Sequence, residues 1–261
     1  MTRRSLLLPS ILLSLVLCFS SCTCEDVYLG EIKLNSQLDA FVPATSGENT
    51  WVQWKGKVGS MGYTVNQDTY LETVPIGGTG KIKLHGKGAV SSCVEYYRAE
   101  NRMIGAYSGA SALPFTISIL QTKNYNPERY LKDYKNGDLD DVVHYTIAYI
   151  TEFPKTITRG MLHYDAYKAQ RTFAFSLHPE RLINKPQDVK QEVVRNVTLN
   201  GKVHDTLYHV YLTSEKFLSE EEQELNAQHP ISYIKGIYLK EGVGLVQAYT
   251  QNGEKIDFSP I

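Results

Sequence analysis

Val193-Val194-Arg195-Asn196-Val197-Thr198-Leu199-Asn200-Gly201-Lys202-Val203-His204-Asp205-Thr206-Leu207-Tyr208-His209-Val210-Tyr211-Leu212 decides the fold class. Two β-rich runs flank Asn200-Gly201, a pair that readily takes two successive positive φ angles, so the stretch reads as a two-residue β-hairpin. His204 and His209 are an odd number of residues apart and fall on opposite faces of its second strand. Asn252-Gly253 repeats the signal between runs 243–251 and 254–258. Counting outward from a two-residue turn there pairs Tyr249 with Ile256 and Gln247 with Phe258. Val243, Leu245, Tyr249, Ile256 and Phe258 then line the core face.

Working outward, the same grammar recurs. Runs 27–34, 50–58, 63–74, 81–84, 89–97, 102–107 and 114–122 are β-rich, divided by Gly, Ser, Pro and Asn clusters. Residues 142–151 alternate, with Val143, Tyr145, Ile147 and Tyr149 on one face, and Phe173, Phe175 and Leu177 repeat the pattern. Gly242 and Gly244 inside such a run signal a bulge, a bend or a close backbone approach. Gly77-Gly78-Thr79-Gly80 reads as a loop rather than a phosphate cradle, because no Gly-Lys-Ser/Thr follows. Helix signals are sparse. Pro127 suits the start of one or two turns over 127–134, and Ser219 before Glu220-Glu221-Glu222 caps a helix to about 228, ahead of Pro230. The expectation is a mainly β protein: a curved antiparallel sheet, as a half-barrel or two-sheet sandwich, with one or two short helices. Residues 27–261 read as a single β-rich domain, with room for a subdivision near 150.

The N-terminus follows a different grammar. Arg3 and Arg4 precede an apolar run over 6–19, which ends in Phe19-Ser20-Ser21-Cys22. At about 14 residues the run is shorter than the roughly 20 that cross a bilayer as a helix. The order basic, apolar, small is that of a cleaved export signal. Plain secretion with cleavage near Ser21 is the rival reading. With cysteine directly after the small pair, the layout resembles a bacterial lipoprotein signal: 1–21 removed, Cys22 lipidated, 22–26 a tether. Several acyl chains, at about 0.8 kcal/mol per buried methylene, hold such a protein firmly.

Three further stretches carry a family resemblance. They are Leu29-Gly30-Glu31-Ile32-Lys33-Leu34, the hairpin Leu199 to Val210 with its Asn-Gly-Lys turn, and Tyr238-Leu239-Lys240-Glu241-Gly242-Val243-Gly244-Leu245-Val246. Together they resemble lipoproteins of the Bacteroidota whose function is unknown. Thr23-Cys24-Glu25-Asp26 resembles the acidic export stretch that follows the lipidated cysteine in that group. The resemblance implies a β-rich cell-envelope protein held at the outer membrane by palmitate-type acyl chains, and it transfers no catalytic residue. Asp205-Thr206-Leu207 resembles the O-glycan acceptor of exported Bacteroidota proteins, although the hairpin count puts Thr206 on the face of Tyr208 and Val210.

Composition narrows the classes. The 261 residues hold 27 basic and 28 acidic side chains, a formal net charge of -1, so nucleic acid is not an expected partner. The 18 Tyr against 8 Phe suit half-buried sheet faces where the ring packs and the hydroxyl stays wet. Of four cysteines, Cys18 leaves with the signal and Cys22 takes lipid. Cys24 and Cys93 either pair, as export permits, or stay apart with Cys93 buried.

Catalytic and metal signatures are weak. None of the seven histidines sits in His-Glu-x-x-His, and neither a metal nor a cofactor is expected. His163 and Asp165 share a strand face, but no Gly-x-Ser-x-Gly elbow supplies a nucleophile. Ser108-Gly109-Ala110-Ser111 reads as a turn, and Asp140-Asp141 as solvated charge. Trp51 and Trp54 point to opposite faces of one strand, so one suits the core and the other an exposed platform. Tyr145 and Tyr149 belong to a set of tyrosines that could line a concave face. The expected function is therefore non-catalytic: an envelope lipoprotein whose curved sheet binds an apolar ligand, a glycan or a partner protein, with Trp51, Trp54, Tyr145 and Tyr149 as contact aromatics. An exported hydrolase with dispersed acid and base residues, or an adhesion or assembly component, is the alternative.

Overall fold

Among the described residues the β-rich runs form thirteen strands. The computed structural model describes residues 27–43, 49–65, 70–76, 95–108, 113, 115–124, 139–158, 161–182, 188–213, 223–224, 227 and 232–260. The export signal, Cys22, Cys24, run 81–84, Cys93 and the helix expected at 127–134 lie outside the described residues. So do the side chains of His163 and Asp165. The strands are β1 (Val27–Ile32), β2 (Asn49–Trp54), β3 (Lys57–Val65), β4 (Tyr70–Ile76), β5 (Glu95–Ser108), β6 (Phe115–Lys123) and β7 (Asp141–Thr158). They continue with β8 (Met161–Phe175), β9 (Val189–Leu199), β10 (Lys202–Leu212), β11 (Ile234–Lys240), β12 (Gly244–Thr250) and β13 (Lys255–Pro260). Among the described residues two 3-10 turns, Ser36–Phe41 and Pro179–Arg181, accompany the strands, and Gln223, Glu224 and Ala227 are helical, within the segment that the Ser219 cap signals.

The chain divides into two units. The smaller comprises 1–31, 73–98 and 127–134. Within it Tyr28 meets Tyr96 at 5.7 Å between ring centroids, with the Arg98 guanidinium 5.6 Å above the Tyr28 ring. The larger unit, 32–72, 99–126 and 135–261, holds the sheet path β8-β7-β6-β5-β3-β2-β13-β12-β11-β10-β9. Every registered pair along it is antiparallel. The path curls until its two ends meet. Phe175 of β8 packs against Tyr208 of β10 at 5.2 Å, and Gln191 of β9 bonds the Ser176 backbone twice, at 3.2 and 2.7 Å. Side-chain hydrogen bonds span this seam, and among the described residues no ladder joins β8 to β9, so the sheet is curved but not a closed barrel.

Turn chemistry sets the registers, and here two sequence expectations need correction. Asn200 (φ 48°) and Gly201 (φ 73°) form the two-residue turn, pairing Lys202 with Leu199 as expected. A second such turn at Lys55 (φ 49°) and Gly56 (φ 74°) splits the single run 50–58 into β2 and β3. The Asn252-Gly253 loop is different. Only Gly253 takes a positive φ there, 78°. Thr250 N–H donates to Glu254 O at 2.9 Å and Gly253 N–H to Thr250 O at 3.0 Å, which leaves residues 251–253 as a three-residue loop. The extra residue moves the pairing to Ala248 with Ile256 and Tyr249 with Lys255. Because side chains alternate, a one-residue shift sends Tyr249 to the outer face and Ala248 to the core. Leu245, Ile256 and Phe258 are buried as expected, whereas Val243 is exposed in the preceding turn.

The concave side of the larger unit is filled rather than open. Phe115, Ile117 and Ile119 of β6, Val143, Tyr145 and Ile147 of β7, and Ile237, Leu239 and Ile256 from the opposite wall meet in one core. The 3-10 turn Ser36–Phe41 plugs it. Phe41 packs at a tilt against Phe175 at 4.6 Å and edge-on to Tyr208 at 5.2 Å, a burial that stabilises by about 1.5–3 kcal/mol for such a side chain. The Tyr145 hydroxyl donates to the Phe41 carbonyl, and Gly242 N–H donates to Ala40 O at 2.8 Å. Gly244, at φ 82°, lets the plug come this close, since a Cβ there would sit 3.0 Å from Phe41 O. At one end the inner face turns polar: Lys123 Nζ lies 2.5 Å from Asp141 Oδ1, both buried, and Asn35 N–H donates to Asp141 Oδ2 at 2.7 Å.

Candidate functional site

The antiparallel registers of β9 to β12 bring five side chains together on the outer face. Glu192 lies opposite His209, and His209 opposite Tyr238. One row further on, Tyr211 lies opposite Gly236, and Gly236 opposite Tyr249. His209 and Tyr211 are two apart on β10, so their rings rise from the same face. The result is a three-ring stack. His209 is 4.3 Å from Tyr211 with planes 17° apart, and 4.4 Å from Tyr238 with planes 9° apart.

Both imidazole nitrogens are committed. Nδ1 is 3.0 Å from Glu192 Oε1 and Nε2 is 2.8 Å from the Tyr249 hydroxyl. The tautomer with hydrogen on Nδ1 satisfies both contacts: it donates to the carboxylate and accepts from the phenol. Tyr249 reaches its partner by lying flat over Gly236, where a Cβ would come within 2.6 Å of the ring's Cε1. The His209 side chain is 12% exposed and that of Glu192 50%, so the ledge is open along its carboxylate side.

The electrostatics favour the neutral forms of His209, Tyr238 and Tyr249. Burial holds the His209 imidazole below its ordinary value, only partly offset by Glu192. Burial, then the neighbouring Tyr238, Tyr211 and Glu192, push the Tyr249 phenol well up. Tyr238 is raised by burial and by Glu192. A carboxylate–imidazole–hydroxyl chain resembles a nucleophile relay, but here the hydroxyl is harder to ionise than in water. Such a chain orients a ring and a phenol; it does not generate a phenolate.

The aromatics expected from sequence have separate fates. Trp51 stands on the outer face of β2, 48% exposed. Trp54 packs against the core with Lys55 Nζ 4.9 Å above its ring, so the two tryptophans do take opposite faces. Tyr149 is buried and donates to Glu254 Oε2 at 3.0 Å, while Glu254 also pairs with Lys55 at 2.7 Å. Tyr145 is wholly enclosed and bonded to the plug. As contact aromatics, Tyr145 and Tyr149 are corrected to packing residues, because the face they line is filled by the chain itself.

Other residues singled out in the sequence also find their places. His204 and His209 face opposite ways, inner and outer, as the odd spacing requires. Thr206 is exposed despite sharing the face of Val210. Asp141 is buried in its pair with Lys123 and is not solvated charge. Among the described residues no three His, Cys, Asp or Glu side chains gather as a metal site would need, and no helix is long and apolar enough to cross a membrane. No protein-family model matches the chain, nor does any curated protein or solved structure.

The sequence reading missed the ledge, although its signal was present. Counting out from Asn200-Gly201 pairs Glu192 with His209, since each pair in that register sums to the same total. What the count could not supply was β11, whose pairing to β10 is not fixed by a tight turn, and the loop length that turns Tyr249 outward.

Proposed function

We propose that the protein is a lipid-anchored binding module of the cell envelope, attached to the outer membrane through Cys22, which captures a glycan on the outer face of β9–β12. The observation that carries this reading is the Tyr211–His209–Tyr238 stack, with Tyr249 and Glu192 fixing the imidazole between them. Ordering four partly exposed rings and a carboxylate on a surface costs side-chain entropy, and the core gains nothing from it. Saccharides are held by groups of this kind: flat ring surfaces for C–H faces, and fixed hydroxyl and carboxylate groups for hydroxyls. An apolar ligand finds less support, because the concave face that would suit it is occupied by the Ser36–Phe41 plug. A hydrolase finds less support, because the relay's phenol is held protonated.

Two measurements test the two halves. Full-length protein in detergent, titrated with neutral gluco-, manno- and chito-oligosaccharides, is expected to show saturable shifts of the His209 ring resonances for one series. Tyr238→Ala should weaken that binding about tenfold or more, equal to 1.4 kcal/mol. Absence of any shift, or full affinity in the variant, would remove the glycan reading. For the anchor, cells fed a clickable fatty acid should label the wild type and not Cys22→Ser; label retained in the variant sinks the lipid assignment.

A further inference from the structure

The opposite ends of the same strands hold a second feature. A cleft of about 310 Å³ opens beside the Asn200-Gly201 turn, and Lys202, His204, Lys240, Val246, Phe258 and Pro260 are among its lining. Its volume lies at the lower end of the range for small-molecule sites.

Its polar groups are not internally satisfied. His204 is 5% exposed, and its Nδ1 is buried without a hydrogen-bond partner among the described residues. Leaving a buried polar atom unmatched costs about 1–3 kcal/mol, so such an atom in a cleft wall is an invitation to a ligand. Lys202 stands two residues from His204 on β10, and Lys240 ends β11, so two ammonium groups flank one imidazole. Neither lysine has a carboxylate partner among the described residues. The one carboxylate in the lining, Asp257, is already engaged, its Oδ1 accepting from Gln247 Nε2 at 2.6 Å.

We propose that this cleft binds a small organic carboxylate, with its head between Lys202 and Lys240 against His204 and its apolar part along Val246, Phe258 and Pro260. A monoanion with an apolar body fits better than inorganic phosphate for two reasons. Half of the wall is hydrocarbon, and a second negative charge would meet Asp257 as well as the lysines. His204 reports occupancy. Burial, then Lys240 and Lys202, hold its imidazole below the ordinary value, with Asp205 acting the other way. A carboxylate between the lysines cancels their repulsion, so the His204 pKa must rise on binding.

The test is an NMR titration of full-length protein in detergent, following assigned His204 ring resonances. Benzoate is the probe, with benzamide as its neutral counterpart and inorganic phosphate as the anion without an apolar body. Saturable benzoate binding is expected, with an upward shift of the His204 pKa, no response to benzamide and at least tenfold weaker binding of phosphate. Lys240→Gln and Lys202→Gln, both at solvent-reaching positions that leave the core intact, should each weaken benzoate about tenfold. The proposal is overturned by an equal response to benzamide, by phosphate matching benzoate, by unchanged binding in both variants, or by no response at all. The glycan titration reads His209 on the other face, so either site can fail alone.

Discussion

Replacing Gly236 with alanine tests whether the ledge is built as described. The new methyl would come within 2.6 Å of the Tyr249 ring's Cε1, so the ring has to leave. It cannot tilt freely, because its hydroxyl is 2.8 Å from His209 Nε2 and its neighbour Tyr238 lies 6.0 Å away, centroid to centroid. Forced displacement costs about 1–3 kcal/mol and the lost hydrogen bond about 0.5–1.5 kcal/mol. Gly236→Ala should therefore destabilise by roughly 2–4 kcal/mol. With Tyr249→Ala already in place, the clash is gone and only strand propensity remains, so the same methyl should stabilise by about 0.5–1 kcal/mol. The coupling in a double-mutant cycle is then roughly 2.5–5 kcal/mol. Urea unfolding of the wild type, both single variants and the double variant measures it. Equal cost of Gly236→Ala in both backgrounds would refute the placement of Tyr249.

Four other outcomes follow from the same geometry. Lys123→Met strands the buried Asp141 carboxylate and should cost about 3–5 kcal/mol at neutral pH by urea unfolding. Burial raises the Asp141 pKa above 3.8 despite Lys123, so its contribution is complete below that value and is lost as pH rises through the folded pKa; Asp141→Asn should flatten that part of the stability profile. His144, His204 and His209 are all held below 6.5 in the fold, first by burial. The unfolded chain binds these protons more readily, so stability should be full above that pH and fall as acid enters the folded range, with a shallower slope in His209→Gln; an unchanged slope would contradict the burial of this ring. Asn200→Ala forces alanine to φ 48° and should lower stability by about 1–2 kcal/mol, read as a drop in Tm.

Much of the fold was legible because antiparallel sheets advertise themselves. Alternation marked β7 and the end of β8, and Asn200-Gly201 fixed a register to the residue. Gly242 and Gly244 announced a close approach, which proved to be the grip on the Ser36–Phe41 plug. Legibility failed where one residue could change the answer. Run 50–58 held a turn disguised by Lys55, a residue that rarely takes a positive φ. Asn252-Gly253 was read as two residues when it serves as part of three. The plug was invisible, since residues 36–41 carry no strong 3-10 signal and their role depends on a cavity assembled from distant strands. The ledge was missed for a related reason: its members lie on four strands, and only two of them are joined by a turn whose count is certain.

The loop at residues 251–253 carries a constraint that its exposed position hides. Surface connections normally drift in length as genes diverge, gaining or losing a codon without penalty. Here the parity of the count decides which way Tyr249 looks. Loss of one codon would restore an even turn, swing the phenol into hydrocarbon and hand the outer face an alanine. Divergent copies of this gene should therefore tolerate substitutions along the tip while keeping its length, and a copy with a shortened tip should also have lost the histidine at position 209.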